Sequence, residues 1–464
     1  MSAGPFALVL PLVLAIAIGG LAALALWPAP PRAAAERLCV FFAGLGLGPG
    51  LVSALYYVWC FVLGFDHSGL PWVETAIAAL LALACVLIHR GRAASKLATP
   101  ADPVRRPSLA WAFWIMLLLC GAAMLLLTIN RPHGEWDSWV IWNQRARMLI
   151  LGKQCFFMSM PYANHGDYPL LIPAFIARCW NFIGGQTTTA PAATAFVFSA
   201  ATAGLIMSAI RLTRGRNQAY IAGLFLFGAY FFVRMCVRQY ADVPLAFNIM
   251  ACLLLLCLQE TLWPRNRSLL LLAGLFAGLA AWTKNEGSLF VLALACGLAL
   301  RWLFCREKRI LAQAGWVFAA ALPILIVIQL YKTKAGVPSD LFIGGKLKSN
   351  LLDANRYVQV FTSFVQEWRR FRNWSVLPYL LLLWPLATRA VLAPGARSGL
   401  TTAVATIVFL NLGYFAVYII TPHDLTIHLA TSLERLYVHL WPSILFLVLY
   451  AFVEAPRQTV KTPK

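Results

Sequence analysis

A chain of 464 residues that is 61% apolar, only 12% charged and has a mean hydropathy of +0.74 is not an ordinary soluble domain, where apolar residues make up about 45–50% and charged residues about 25%. Its net charge of +21 does not indicate nucleic acid, because Lys and Arg are scattered between apolar segments instead of lining one face. The 11 cysteines are odd in number, lie mostly inside apolar runs and show no CxxC or His/Cys spacing, which excludes a disulfide framework and a zinc site.

A spanning helix needs about 20 apolar residues. Segments of that kind lie near 5–28, 38–63, 71–89, 109–129, 189–210, 218–235, 242–262, 268–283, 287–304, 312–331, 375–393, 400–420 and 437–453. The sequence therefore predicts an all-α polytopic membrane protein with about 13 transmembrane helices and juxtamembrane helices on its outer face. The first segment lacks a basic n-region and exceeds a signal-peptide core, so a retained helix is expected. The stretch 169–183 is short, holds Arg178 and begins Pro-x-x-x-Pro, and is expected to lie at the outer surface. Asp167 would cap it, with Pro169 in its first turn.

With that segment outside the bilayer, the short basic turns gather on one side: Arg32 and Arg37; Arg90, Arg92, Lys96, Arg105 and Arg106; Arg211, Arg214 and Arg216; Arg265 and Arg267; Arg301, Arg306, Lys308 and Arg309; Arg389 and Arg397; Arg457, Lys461 and Lys464. The positive-inside rule makes that side cytoplasmic, leaving the N-terminus outside and the C-terminus inside. The loop 332–374, with eight Lys/Arg, then falls outside. Four regions follow: three additional N-terminal helices (1–108), a core (109–331) with the outer loop 130–188, the basic outer loop 332–374, and the C-terminal helices (375–464).

Glu135, Asp137 and Asp167, three of only 17 acidic residues, fall in the loop 130–188. A carboxylate at a bilayer surface is costly to keep without a use. After Asp137, the residues Trp139, Trp142, Ala146, Leu149 and Ile150 share one helical face while Gln144, Arg145 and Arg147 point elsewhere, which predicts an interfacial helix with its tryptophans at headgroup depth. The plainer role for Asp137 is an N-cap, worth about 1 kcal/mol. Further outer turns carry charge at helix ends: Arg238-Gln239-Tyr240-Ala241-Asp242, Trp282-Thr283-Lys284-Asn285-Glu286-Gly287, and the stretch from His423-Asp424 through His428 to Glu434-Arg435. For each, local ion pairing or snorkelling is the structural alternative.

In this order the motifs resemble the GT-C superfamily of lipid-phosphosugar-dependent glycosyltransferases, in particular the branch of protein O-mannosyltransferases and lipid A aminoarabinose transferases. Glu135-Trp136-Asp137 matches the family's acidic motif in the first large outer loop. Tyr168-Pro169-Leu170-Leu171 matches the start of its juxtamembrane helix. Tyr240-Ala241-Asp242-Val243-Pro244-Leu245 and Gly278-Leu279-Ala280-Ala281-Trp282-Thr283-Lys284 match its later motifs, and 435–442 matches its last region weakly. The family's Asp-Glu pair appears here as Glu-x-Asp, and the three extra helices have no counterpart.

The resemblance implies a GT-C-like fold and an inverting hexosyl- or pentosyltransferase. It would move a sugar from a polyprenyl-phosphate sugar donor to a glycan, lipid or protein acceptor at the outer, periplasmic face of a bacterial inner membrane. Its partners are those substrates and the lipid bilayer, with no nucleic acid. A carboxylate must take the acceptor proton, contributing about 10²–10⁴-fold, and cations must offset charge growing on the leaving phosphate. Asp137 is the expected base, with Asp167 second and Glu135 left open. Lys284, Arg238 and Arg435 are the candidates for the phosphate, and Asp242 for orienting sugar or acceptor. Tyr168 and His428 are further candidate substrate contacts. Lys346, Lys348 and Arg356 would let the basic loop close over a substrate. No cofactor is required by the motifs; a divalent metal between the carboxylates stays open, without a ligand set at metal-binding spacing.

Two other readings use the same charges. A transporter or flippase of a lipid-linked glycan would place ionisable residues near the midplane, often in repeated halves; here they lie at outer helix ends and no repeat is evident. An O-antigen polymerase or ligase is the related enzyme alternative, and a non-catalytic membrane subunit would have no reason to gather its acids on one side.

Overall fold

The computed structural model describes residues 5–97, 99–100, 106–339, 341, 345–370, 376–388, 390–393 and 395–454. Arg105, Arg389, Arg457, Lys461 and Lys464, assigned above to inner turns, lie outside the described residues. The described chain is built from helices, with one short antiparallel pairing of Ala390–Leu392 with Phe452–Glu454.

In chain order the helices begin with α1 (Val9–Ala25), α2 (Ala34–Tyr57, drawn out by a wide turn to Leu63), α3 (Leu70–His89) and α4 (Pro107–Asn130). The outer loop folds into α5 (Gln144–Ile150), α6 (Lys153–Ser159) and α7 (Leu171–Ile183). The core continues with α8 (Thr189–Arg214), α9 (Arg216–Gly228), α10 (Tyr230–Val237), α11 (Asp242–Leu262), α12 (Ser268–Thr283), α13 (Asn285–Cys305) and α14 (Lys308–Ala335). Then come α15 (Leu347–Leu352), α16 (Ala354–Arg370), α17 (Val376–Ala387), α18 (Arg397–Ile420) and α19 (Leu425–Ala451).

Among the described residues nine helices are long and apolar enough to cross a membrane, or ten if α9 and α10, bent by 71° at their junction, form one span. Of the thirteen expected segments, eleven fall mainly on one helix each, 218–235 is split between α9 and α10, and 375–393 is helical over α17 and ends in the short strand Ala390–Leu392 where described. Three of these helices, α1, α12 and α17, have only 17, 16 and 12 residues, short of the length a bilayer core asks for. α12 is buried along nearly its whole length, so its composition reflects packing against protein as much as contact with lipid.

α11 is the hub. Every residue from Asp242 to Gln259 is buried, with α8, α12, α18 and α19 around it. The N-terminal helices reach this hub. α1 and α2 touch backbone to backbone: a Cβ on Gly19 would stand 2.1 Å from Gly44 O, and one on Gly48 2.0 Å from Ala15 O. Close approach through small residues is how helices associate without a hydrophobic driving force. α2 then meets α11 and α12, where Trp282 Nε1 donates to Ser53 Oγ at 3.0 Å.

Two expectations about the outer loop need correcting. α7 is enclosed by protein, its residues Leu171–Trp180 all buried, which leaves its expected place at the outer membrane surface uncorrected but changes how it starts. It begins at Leu171 with no side-chain cap, so Pro169 precedes the first turn, and Asp167 turns instead to Asn285. At about 1.5 Å per residue, its 13 residues fall well short of a bilayer core. The Arg178 side chain inside it is fully buried against Glu74 of α3 and also donates to Pro11 O of α1 at 3.0 Å.

The segment after Asp137 also departs from the expected face. Ser138–Asn143 forms a wide π-type turn before α5, which adds a residue per turn and shifts the phase. Trp142, Ala146 and Leu149 are buried in protein while Trp139 is exposed, so the two tryptophans do not share one face, and Arg145, expected off that face, is fully buried. The stretch 332–374 is largely helical where described, and Arg356 in α16 donates to the carbonyls of Tyr418, Ile419 and Thr421. These are the orphan acceptors at the end of α18; that guanidinium is committed to them and not to a closing loop. Lys346 and Lys348 are exposed.

Candidate active site

Four segments distant in sequence bring charges together at one end of the bundle. Asp137 sits in the turn before the wide helix, Asp242 opens α11, Lys284 separates α12 from α13, and Arg435 lies within the first half of α19. Arg435 joins them: Nη1 donates to Asp137 Oδ2 at 2.6 Å, while Nε and Nη2 each lie 3.2 Å from Asp242 Oδ2. Lys284 Nζ is 3.1 Å from Asp242 Oδ1 and 2.8 Å from Glu286 Oε1.

His439, one helical turn beyond Arg435, completes the shell of Asp242. Its Nε2 is 2.7 Å from Asp242 Oδ1, and Tyr414 Oη lies 3.3 Å from its Nδ1. An ionised carboxylate only accepts, so Nε2 carries a proton, and with the imidazole neutral Nδ1 accepts from Tyr414 Oη. The site has a depth gradient. Asp242 and Lys284 side chains are 0% and 3% exposed, whereas Asp137 and Arg435 are 18% and 15% exposed. The deep pair is enclosed by protein, and the outer pair is partly open to the surface.

The loop carrying Asp137 is stitched to the turn before α11. Asp137 N donates to Tyr240 Oη at 3.2 Å, Glu135 N to Arg238 O at 3.4 Å and Gln239 Nε2 to Pro132 O at 3.0 Å. Burial pushes the Tyr240 hydroxyl up to about 12, so it stays neutral and available as an acceptor. Gly134 is needed for this closeness. Its φ is +75°, and a Cβ there would stand 2.6 Å from Arg238 O, a left-handed conformation and a contact that only glycine tolerates. Gln239 also adopts a left-handed φ of 60°.

The other expected residues surround this centre without all joining it. Glu135 pairs with Arg238 Nε at 2.9 Å and Arg131 Nη1 at 3.1 Å, with Arg234 Nη2 at 3.5 Å. Asp167 Oδ2 accepts from Asn285 Nδ2 at 2.7 Å, and Asn285 Oδ1 in turn accepts from Lys332 at 2.9 Å; it meets the α12–α13 turn beside Lys284. The Tyr168 ring stacks on His165 and lies 5.9 Å from Lys284 Nζ. His428 Nδ1 is 3.1 Å from Thr421 Oγ1, with its ring against Tyr418 and His423, two turns before Arg435 on α19. Among the described residues no group of three His, Cys, Asp or Glu side chains is placed to hold a metal ion.

Sequence reasoning missed three contributors. His439 stands four residues after Arg435, on the same helical face, which was the available signal. Arg145 was placed only off the apolar face and given no partner, yet it donates to Tyr168 O and, at 2.6 Å, to Tyr331 Oη, holding the returning loop. Glu74 is a lone acid inside an apolar segment, a pattern that by itself asks for a partner.

The fold and this gathering of charge define a polytopic helical membrane protein with a polar site at one end of its bundle. Residues 167–331 match the family model described as dolichyl-phosphate-mannose-protein mannosyltransferase, which supports a membrane glycosyltransferase of GT-C type. The matched stretch contains Asp167, Asp242 and Lys284 and ends before Arg435. No curated protein and no solved structure matches the chain.

Proposed function

We propose that the protein transfers a sugar from a polyprenyl-phosphate-linked donor to an acceptor at the outer face of a bacterial inner membrane, with inversion. The observation that carries this reading is Arg435 shared between Asp137 and Asp242. An acceptor hydroxyl or amine attacks the anomeric carbon, its proton passes to the Asp137 carboxylate, and the anomeric C–O bond breaks with its electron pair leaving on the phosphate. Lys284, Arg238 and Arg435 offset the charge that grows there. A phosphate that competes for the Arg435 guanidinium also loosens its hold on Asp137, freeing the carboxylate to act as a base as the donor arrives.

The test is reconstituted transfer by Asp137→Asn. Transfer is expected to fall by about 10² or more while membrane insertion and donor binding persist. Activity within a few-fold of the native enzyme removes Asp137 from the role and moves attention to Asp167 and Glu135.

A further inference from the structure

Lys284 and Arg435 supply only part of the positive charge an anionic substrate needs. Around Arg435 and Lys284, three carboxylates (Asp137, Asp242 and Glu286) face two permanent cations. That cluster carries an excess of negative charge, so until Arg435 exchanges its carboxylate partner it does not by itself draw in a phosphate. The neighbouring cluster is the reverse. The single carboxylate of Glu135 is shared by Arg131, Arg234 and Arg238. Three guanidinium groups offer fifteen N–H donors in total, and a carboxylate accepts about four hydrogen bonds. Most of their donors, and two of their three charges, are unmatched by Glu135.

This surplus lies beside a cavity of about 420 Å³ in the loop 130–139, lined by Arg131, His133, Glu135, Trp136 and Trp139 among others. Trp136 and Trp139 are exposed, as is Ile129 at the end of α4, and α4 is among the helices that leave most of their surface uncovered. Tryptophans at the end of such a helix mark headgroup depth. The cavity therefore opens where a lipid headgroup is presented, two residues from Asp137.

The geometry points to a binding site for a net-anionic, phosphate-bearing lipid headgroup, formed by Arg131, Arg234 and Arg238 around Glu135 with Trp136 and Trp139 at its rim. Arg131 and Arg234 are its new members. Resting on the transferase reading, it receives the donor's phosphate next to the base. Glu135 serves as the internal counter-ion that keeps the three guanidinium groups together until the phosphate takes its place among them.

The experiment measures equilibrium binding to the full-length protein in neutral detergent. The probes are farnesyl phosphate, dioctanoyl phosphatidylglycerol and inorganic phosphate, with farnesol and dioctanoyl phosphatidylcholine as references lacking net charge. The native protein is expected to prefer each anionic lipid over its reference by at least about tenfold. Arg131→Gln combined with Arg234→Gln should abolish that preference, whereas Arg369→Gln combined with Arg370→Gln, an equal loss of charge in α16, should retain it. Preference for farnesyl phosphate over phosphatidylglycerol assigns the site to the donor; equal binding assigns it to bilayer phospholipid; competition by inorganic phosphate shows that the phosphate alone suffices. Equal binding of charged and reference lipids overturns the proposal, as does a preference unchanged in the Arg131/Arg234 variant. Asp137→Asn is included because binding and transfer fail separately: intact binding with a normal transfer rate sinks the base and leaves the site standing.

Discussion

The fully buried pair of Glu74 and Arg178 is a sharp energetic test of how the N-terminal helices belong to the fold. Both side chains are 0% exposed, and they meet through two contacts, one of them from Arg178 Nε to Glu74 Oε1 at 2.5 Å. Removing one partner of a buried pair leaves a charge without compensation and costs about 3–5 kcal/mol. In Glu74→Leu the guanidinium keeps its bond to Pro11 O and its place 4.5 Å over the Phe182 ring, so a loss near the lower end, about 3 kcal/mol, is expected. Replacing both, Glu74→Leu with Arg178→Met, leaves an apolar contact of similar volume and should recover to within about 1 kcal/mol of the native protein. Equilibrium unfolding in mixed micelles, followed by tryptophan fluorescence, measures all three variants. A double variant as unstable as the sum of the single ones, or a Glu74→Leu cost below about 1 kcal/mol, refutes the reasoning.

Gly134→Ala should cost about 1–3 kcal/mol, because its φ of +75° and the contact with Arg238 O both resist a Cβ; unchanged unfolding would show that the loop adapts freely. Asp242→Asn removes the carboxylate shared by Lys284, Arg435 and His439 and should lower stability by about 3–5 kcal/mol in the same assay; a loss under about 1 kcal/mol would mean that Glu286 and Asp137 suffice for the two cations. Topology is read by thiol labelling. Cys155 and Cys305 are exposed, and Cys155 should react with an impermeant reagent from outside, Cys305 only after permeabilisation. Ser339→Cys should label from outside and Ser398→Cys from the cytoplasm, and the reverse pattern would invert the sidedness taken from the basic turns.

Helix positions were legible because long apolar runs between charged turns have few other solutions in a bilayer. What escaped the sequence was three-dimensional pairing between segments. Arg435 is separated from Asp137 by nearly 300 positions, and no periodicity links them. The face of 138–150 was misjudged because a wide turn alters the helical repeat, an event with no residue signature comparable to proline or glycine. Asp167 was taken for a cap from its place before Pro169, yet a buried carboxylate follows the nearest donor, here Asn285. Arg178 was noted only as a reason against spanning and Glu74 was passed over in an apolar segment, although a lone charge in each was a reason to look for its opposite.

The bonding of the Asp137 loop separates two tasks that a single ion pair would otherwise confound. Its backbone is fixed by hydrogen bonds to Tyr240, Arg238 and Gln239, none of which involves the Asp137 carboxylate. Its carboxylate is held by Arg435 alone among the bonds described above. Exchange of that guanidinium to another anion therefore changes the electrostatic environment of the carboxylate without unfastening the loop. Arg435 in turn remains tied to Asp242 through a second edge, and Asp242 is held by Lys284 and His439. The deep cluster thus serves as an anchor with fixed geometry, which is what preorganised stabilisation of developing charge requires. On the proposed mechanism, the arginine surplus around Glu135 draws the anion to the mouth of the site, while the deep cluster keeps Asp137 and Arg435 in register.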